Sequence, residues 1–541
     1  MRRATSTVVS ERVFKFWDYP IFAILTCLSL FAILHFFLYW FSLDDRLNYP
    51  ITFSFTTLLL LGSLFANQLR WFCLPFMRRP RSMTPRLGWK VGVVTAFVPS
   101  AEPIEMLEET LNALMALDYP HDTWVLDEGD DDQVKALCIR LGAHHFSRKN
   151  LPQYQTEIGV FQAHSKHGNY NSWFSAIGLD RYEIIAAFDV DHAPVPHFLS
   201  TVLGYFEDPK IGYVQVPQAY HNQKASFIAR AAAEEDYTYY SSIQMANFAM
   251  GYPIVVGCHN THRVSALKEV NGFPPHDAED LLITLFYRIR GWRGVYVPQI
   301  LASGLAPVDW SSYLKQQRRW ARSVLDIKFR IYPQFAANLP LKERVVSLLQ
   351  GIRYVQSSLT MFLSVALVGF VLITGATPAV ANFNTVERLL IVAGTLLLCG
   401  FYQQRFYLDR RNEWGLHWRA KLLQFARWPS FVNACYDVIV NRRVPYTLTH
   451  KLSADSRRRT ALWPHLVVAI LMSVAWAIGM VWRDNLDPPI HVAAAIIVIA
   501  SVTIFLTGMW HYPELYDGAL SPLARKQSVR GSTLPERPGL Q

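Results

Sequence analysis

Glu183-Ile184-Ile185-Ala186-Ala187-Phe188-Asp189-Val190-Asp191-His192 is the stretch that decides the fold. Ile184 to Phe188 is a short apolar run bounded by acids, which reads as a β-strand running straight into Asp189. Working outward, Lys90–Val98 reads as a first strand, Glu105–Leu117 as a helix, Thr123–Leu126 as a strand ending in acids, and Gln133–Leu141 as a helix. Short β-branched runs alternating with helical patterns predict an open α/β sheet. Ligands of such sheets bind beyond the carboxyl ends of the strands, so acids placed there are site candidates.

Two acidic clusters sit at such ends. Asp127-Glu128-Gly129-Asp130-Asp131 could simply open the next helix, whose N-terminus favours negative charge. In Asp189-Val190-Asp191, a D-x-D pair at a turn can hold a hard divalent ion that also bridges two phosphates. Lys166-His167-Gly168-Asn169-Tyr170-Asn171 precedes a helical pattern from Trp173 and reads either as a solvated loop or as a phosphate contact through Lys166 and Asn169, with Gly168 in a tight turn. Ala278-Glu279-Asp280 opens the amphipathic run Leu281–Phe286, where a carboxylate either caps a helix start or accepts a proton from a hydroxyl. In Gln316-Gln317-Arg318-Arg319-Trp320 the indole offers a flat face for a sugar ring and the guanidinium a fork for a diphosphate; interfacial packing is the plainer reading. Tyr446-Thr447-Leu448-Thr449-His450-Lys451 places Thr449 and Lys451 two apart on an expected loop, where both could reach one phosphate.

The composition excludes a string of soluble domains. Hydrophobic residues make up 51% of the 541 and charged residues 17%, against roughly 25% charged in soluble proteins. A net charge of +10 would suit nucleic acid, but the basic residues cluster beside apolar runs, which points to a lipid bilayer and no nucleic acid. The six cysteines form no C-x-x-C pair, which disfavours a disulfide framework and a zinc site and fits isolated thiols in a reducing compartment. Charge-free stretches near 20–42, 50–69, 355–376, 389–404, 461–482 and 488–510 are expected to span the bilayer. The fourth is short, held between Arg388 and Arg405, and is expected to tilt or to snorkel at its ends. The first ends in bulky residues and is expected to stay as an anchor rather than be cleaved. Of the 52 basic residues, only Arg46, Arg388 and Arg483 fall in the short loops 43–49, 377–388 and 483–487. The positive-inside rule then puts both termini and the segment 70–354 in the cytosol of a multi-pass protein of the inner (plasma) membrane. The Trp- and Arg-rich stretch 405–459, with Trp414, Trp418 and Trp428, reads as helices lying in the interface.

Taken in order, these pieces resemble the membrane-embedded family 2 glycosyltransferases of the cellulose synthase and hyaluronan synthase group. The family's D-D-G, K-A-G-N, D-x-D, T-E-D and Q-x-x-R-W motifs have counterparts here in the same order, Val214-Gln215-Val216-Pro217-Gln218 resembles V-Q-T-P-x, and residues 446–451 resemble the gating loop F-x-V-T-x-K. The resemblance implies a polytopic α-helical membrane protein carrying a cytosolic α/β GT-A glycosyltransferase domain. It implies that Asp127 contacts the uracil of a UDP-sugar donor, Lys166 lies near the nucleotide, Asp189 supports the nucleotide side, and Asp191 coordinates Mg²⁺ or Mn²⁺. Asp280 would be the general base. Gln316 and Trp320 would border the growing glycan acceptor, Arg319 the diphosphate, and Thr449 and Lys451 would close over UDP. The chain departs from the pattern at Glu128, His167 and Ala278, at Tyr446 for Phe, and at Leu448 for Val. Each departure spares the residue with the clearest chemical role.

The expected organisation is a tail and two spans over 1–69, the glycosyltransferase domain over 70–330, and an interface helix region over 331–354. Two spans follow over 355–404, then interface helices with the gating loop over 405–460, two spans over 461–510, and a tail over 511–541. That polar tail leaves no room for the cyclic di-GMP domain of many cellulose synthases, so such regulation is not expected. The function expected is inverting, processive transfer from a UDP-sugar, UDP-glucose favoured, to a β-linked polysaccharide carried across the membrane. Transfer of one sugar to a lipid acceptor is the alternative. A transporter or receptor with a nucleotide-sensing domain is disfavoured because the acids concentrate on the soluble insertion rather than in the spans, which offer chiefly His35 and His465. The sugar, the linkage and any export partner are left open.

Overall fold

The computed structural model describes residues 7–376, 382–442, 462–482 and 488–507, the side chains of residues 350, 352 and 353 excepted. Two apolar helices lead, α1 (Asp18–Ser42) and α2 (Pro50–Phe72). The Trp40 indole stacks on Phe53 at 4.8 Å and donates to Thr57 Oγ1 at 2.8 Å, so the polar atom of a buried aromatic is satisfied inside the pair. Beyond them come β1 (Val91–Phe97), α3 (Ile104–Met115), β2 (Asp122–Asp127), α4 (Asp132–Leu141), β3 (His144–Phe146), α5 (Lys166–Trp173), β4 (Ile184–Asp189) and β5 (Ile211–Gln215). There follow α6 (Phe227–Thr238), β6 (Asn260–Arg263), α7 (Glu279–Ile289), β7 (Arg293–Tyr296) and α8 (Trp310–Asp326).

The seven strands form one sheet in the order β7-β5-β6-β4-β1-β2-β3. Neighbours run parallel except β6, which is antiparallel to both β4 and β5. The apolar run of β4 is explained by burial on both faces. Ile184, Ala186 and Phe188 pack on one side against Leu107 and Leu111 of α3. Ile185 and Ala187 pack on the other against Tyr170 and Trp173 of α5 and Ile283 of α7.

One local expectation is corrected. Lys166–Asn171 is neither a loop nor solvated; it forms the first turns of α5, and His167 to Trp173 are all buried. Ser165 caps the helix by accepting from Gly168 N at 3.1 Å, and Tyr170 and Trp173, three apart, drive that face into the core. Gly168 serves close approach rather than a tight turn, since a Cβ there would lie 2.2 Å from the Gln162 carbonyl oxygen and 2.6 Å from Arg148 Nη1.

The second half holds α9 (Leu341–Thr374), α10 (Phe383–Gln403), α11 (Trp418–Ala426), α12 (Trp428–Ile439), α13 (Trp463–Trp482) and α14 (Pro488–Thr507). The interface region and the third span are one 34-residue helix, α9, interrupted at Gly351, whose φ is +94°. A Cβ at Gly351 would lie 2.8 Å from Val324 Cγ1 of α8, so glycine answers both the backbone angle and the packing. The fourth span is longer than expected, because α10 begins before Glu387 and Arg388. The Arg388 guanidinium lies 4.0 Å over the Tyr39 ring and donates to the Asn384 carbonyl, which lets a cation sit at the helix start. Among the described residues, six helices are long and apolar enough to cross a membrane, in the expected order. Trp414 and Trp418 are exposed, whereas Trp428 is buried. Helix α12 packs on α8 through Ala321, Phe431 and Ala434 and through Arg318–Asp437 at 2.6 Å. Residues 446–451, with Thr449 and Lys451, lie outside the described residues.

Candidate active site

Strand β4 ends at Asp189, and the chain turns at once, His192 N donating to the Asp189 carbonyl at 2.9 Å. That turn holds Asp191 with its Oδ2 accepting from Leu305 N at 3.2 Å and its Oδ1 3.1 Å from His192 Nδ1. From the start of α5, Lys166 Nζ reaches Asp189 Oδ1 at 2.6 Å, the Gly257 carbonyl at 2.7 Å and Glu279 Oε1 at 3.6 Å. The loop bearing Gly257 is fixed from beneath by Gln215, whose Oε1 accepts from Val256 N at 2.8 Å and whose Nε2 donates to the Cys258 carbonyl at 3.2 Å. Thr284 of α7 accepts from Val255 N at 2.9 Å, tying the same loop to the helix that carries Asp280.

Asp280 is the second residue of α7, its Oδ1 accepting from Leu281 N at 2.7 Å. Its Oδ2 turns toward Gly257, where a Cβ would meet it at 3.2 Å, so Asp280 and Lys166 flank one backbone position. Facing them, α8 presents Gln316, Arg319 and Trp320, which share one side of the helix at spacings of three and four. Lys166, Asp189, Asp191, Asp280, Gln316, Arg319 and Trp320 all line one cavity of about 980 Å³. Its walls continue along Gly62, Phe65 and Leu69 of α2 and Val345, Leu349 and Gln356 of α9, so it runs from the sheet toward the apolar helices.

Asp127 is not on that wall. It is fully buried, with Oδ1 accepting from Gly129 N at 2.8 Å and Oδ2 from Asp131 N at 2.6 Å and 3.0 Å from His145 Nε2, so both oxygens organise the turn after β2. Its neighbour Glu128 lines the cavity instead. The longer Glu128 side chain carries its carboxylate to the fully buried Arg148, at 3.0 Å to Nε and 2.8 Å to Nη2, which accounts for glutamate at this position.

The charges are strongly coupled. Lys166 is held well above the ordinary lysine range: burial works against its charge, and Asp189 and Glu279 overcome it. Burial raises both Glu279 and Asp280. Lys166 opposes the rise at each; Asp280 reinforces it at Glu279, and the Leu281 amide opposes it at Asp280. A carboxylate raised by burial at a helix start, beside a cavity, accepts a proton more readily than a free one.

Several lining residues carried no sequence signal. Gly257 acts through its backbone carbonyl. Tyr240 donates to Gln218 at 2.8 Å, and the buried Arg427 pairs with Glu235 at 2.8 Å while bonding Gln317 at 3.2 Å. Only contacts across long sequence separations reveal these as wall residues.

A mainly parallel α/β sheet with acids and a lysine at its carboxyl ends places a ligand cavity where open α/β sheets place theirs, here against helices long and apolar enough to cross a membrane. Residues 92–323 match the family described as glycosyltransferase like family 2, and this segment is a glycosyltransferase family 2 domain. Cellulose synthase 2 of Novacetimonas hansenii is 26% identical over 340 residues, 59% of this chain and 20% of that protein. The cellulose synthase catalytic subunit [UDP-forming] of Xanthomonas axonopodis pv. citri is 28% identical over 262 residues, 47% of this chain and 34% of that protein. The chain thus matches a fifth to a third of the length of these curated relatives. Among solved structures, the mannosyltransferase PcManGT of Pyrobaculum calidifontis, in complex with GDP-Man and Mn²⁺, is 15% identical with a TM-score of 0.46, over 73% of this chain and 99% of that one.

Proposed function

We propose that the chain is an inverting glycosyltransferase that takes a sugar from a UDP-sugar, UDP-glucose favoured, and extends a β-linked glycan that it leads across the membrane. The observation that carries this reading is the single cavity that joins Lys166, Asp189, Asp191 and Asp280 on one wall to Gln316, Arg319 and Trp320 on the other and then follows α2 and α9. The Asp280 carboxylate accepts the proton of the acceptor hydroxyl as its oxygen attacks the anomeric carbon. The bond from that carbon to the diphosphate breaks with its electron pair on UDP, beside Arg319. Trp320 carries the terminal acceptor sugar, and Lys166 holds Asp189 in place. Asp127 shapes the turn under the base of the nucleotide, and Thr449 and Lys451 close over UDP.

The donor set fits a hard divalent cation, because the carboxylates of Asp189 and Asp191 each bring an oxygen within 4.8 Å of the other at the turn that also carries His192. Bound by the carboxylates of Asp189 and Asp191, Mg²⁺ or Mn²⁺ would neutralise the charge of the diphosphate.

Removing the stacking platform separates acceptor use from donor use. Trp320→Ala is expected to leave UDP-sugar affinity and slow donor hydrolysis intact while weakening transfer by roughly fivefold, from about 1 kcal/mol of ring stacking. Unchanged glycan synthesis in membranes supplied with UDP-glucose would place the acceptor elsewhere. The same reading puts the domain and both termini in the cytosol, from the scarcity of basic residues in three short loops. A reporter fused after Gln541 should be protected inside the cell and one inserted near Asn382 exposed outside; the reverse labelling would part the site from cytosolic UDP-sugars.

A further inference from the structure

His192, Cys258 and His259 meet from two distant places in the chain, the turn after β4 and the loop before β6. Each offers a ligand atom within 4.8 Å of the other two, and all three are buried. Each ring has one bonded nitrogen and one unpartnered nitrogen among the described residues. His192 Nδ1 lies 3.1 Å from the Asp191 carboxylate, and its Nε2 is buried with no hydrogen-bond partner among the described residues. His259 Nε2 lies 2.9 Å from the Pro217 carbonyl, and its Nδ1 is buried and unpartnered in the same sense. A carboxylate and a carbonyl only accept, so each ring keeps its proton on the bonded nitrogen and a lone pair on the orphaned one. The His192 ring is pinned by Gly304, where a Cβ would lie 2.2 to 2.4 Å from Nε2, Cε1 and Cδ2, so that only glycine lets the backbone lie on the ring face. Cys258 Sγ stands 3.7 Å from His259 Nε2.

We infer that His192, Cys258 and His259 bind one transition-metal ion of the zinc class, separate from the hard cation proposed at the carboxylates of Asp189 and Asp191. One thiolate and two imidazoles favour zinc over magnesium or manganese, and an outer acceptor on the second ring nitrogen is the usual support of such ligands. Binding replaces the Cys258 thiol proton, which leaves to solvent, and changes no oxidation state. The ion joins the loop whose Gly257 carbonyl holds Lys166 to the turn that carries Asp191, and two of its ligands, His192 and Cys258, line the same cavity as Asp280 and Arg319, so it positions the wall of the site. On this inference Cys258 departs from the expectation drawn from cysteine spacing, because the ligands assemble in space and not in sequence. The inference stands on ligand geometry and is independent of the glycosyl transfer proposed above.

The test is elemental analysis of the full chain purified in detergent from zinc-supplemented cells. Near-stoichiometric zinc is expected in the parent and in Asp189→Asn, with loss from Cys258→Ser and His259→Gln. Cobalt exchanged into the parent should give a thiolate-to-metal charge-transfer band that Cys258→Ser lacks. The cobalt band of the parent decides the matter even where a variant fails to fold. A monodisperse parent without zinc and without that band overturns the inference. So does an ion lost from Asp189→Asn and kept by Cys258→Ser, because it then sits at the carboxylates.

Discussion

Asp280→Asn is expected to lower the transfer rate by about 10²- to 10⁴-fold, the usual range for losing a positioned general base, while UDP-sugar affinity stays within about twofold of the parent. Asparagine keeps the acceptor that receives the Leu281 amide, so the start of α7 is preserved. What it removes is the carboxylate proposed to take the proton. The pH profile supplies a second readout. Burial raises the Asp280 carboxyl, opposed by the Leu281 amide and Lys166, so the base is anionic above that raised value and protonated below it. Activity of the parent should therefore fall with falling pH through a value above the ordinary aspartate range of roughly 4, and in Asp280→Asn that limb should vanish. Calorimetric UDP-sugar binding beside initial rates across pH checks both. A variant that turns over like the parent moves the base to Glu279 or Asp277, both of which line the same cavity.

The parts of this site that could be read in the sequence are those whose cause is local. Strand β4 announces itself because burial on both faces demands an unbroken apolar run, and the spans because a bilayer demands length. The acids after β4 and at the start of α7 follow from strand and helix ends. The start of α5 was hidden. Its polar residues are satisfied by distant backbone: Asn169 donates to the Leu126 carbonyl at 3.1 Å, and Asn171 donates to Phe273 O and accepts from Phe273 N, each at 2.8 Å. No window around residue 170 contains those partners, so K-H-G-N-Y-N looks like a loop. Strand β6, Asn260-Thr261-His262-Arg263, was hidden for the same reason. His262 is fully buried, bonded to Asn260 at 2.7 Å and to the Tyr287 hydroxyl at 3.0 Å, and a polar strand of this kind has no apolar alternation to find. Asp127 was visible as a residue but not in its orientation, because the amides of Gly129 and Asp131 draw its oxygens inward.

Removal of divalent cations from the membranes is expected to abolish transfer, and Asp191→Ala to do the same, each by more than about 10³-fold, since a diphosphate leaving group relies on several kcal/mol of charge neutralisation that water supplies poorly. Asp191 is nearly fully buried, and its oxygens engage Leu305 N and His192 Nδ1. Alanine therefore strips two partners as well as a charge, and lost activity alone would not separate chemistry from folding. Asp191→Asn narrows this, because it keeps the volume and an acceptor for the Leu305 amide while removing the charge and the acceptor for the His192 N–H; its unfolding temperature measured beside its transfer rate separates lost chemistry from lost folding. Identity of the restoring ion separates the two cation sites. Mg²⁺ or Mn²⁺ added to the chelated parent should restore transfer if the hard cation sits at the carboxylates, with zinc retained by the buried thiolate site throughout. Restoration by Zn²⁺ alone would mean that the functional ion lies at His192, Cys258 and His259 and that the carboxylates of Asp189 and Asp191 serve only to orient those ligands. Full turnover in excess chelator would remove the cation from the mechanism and leave Arg319 and Lys166 as the groups that must offset the diphosphate.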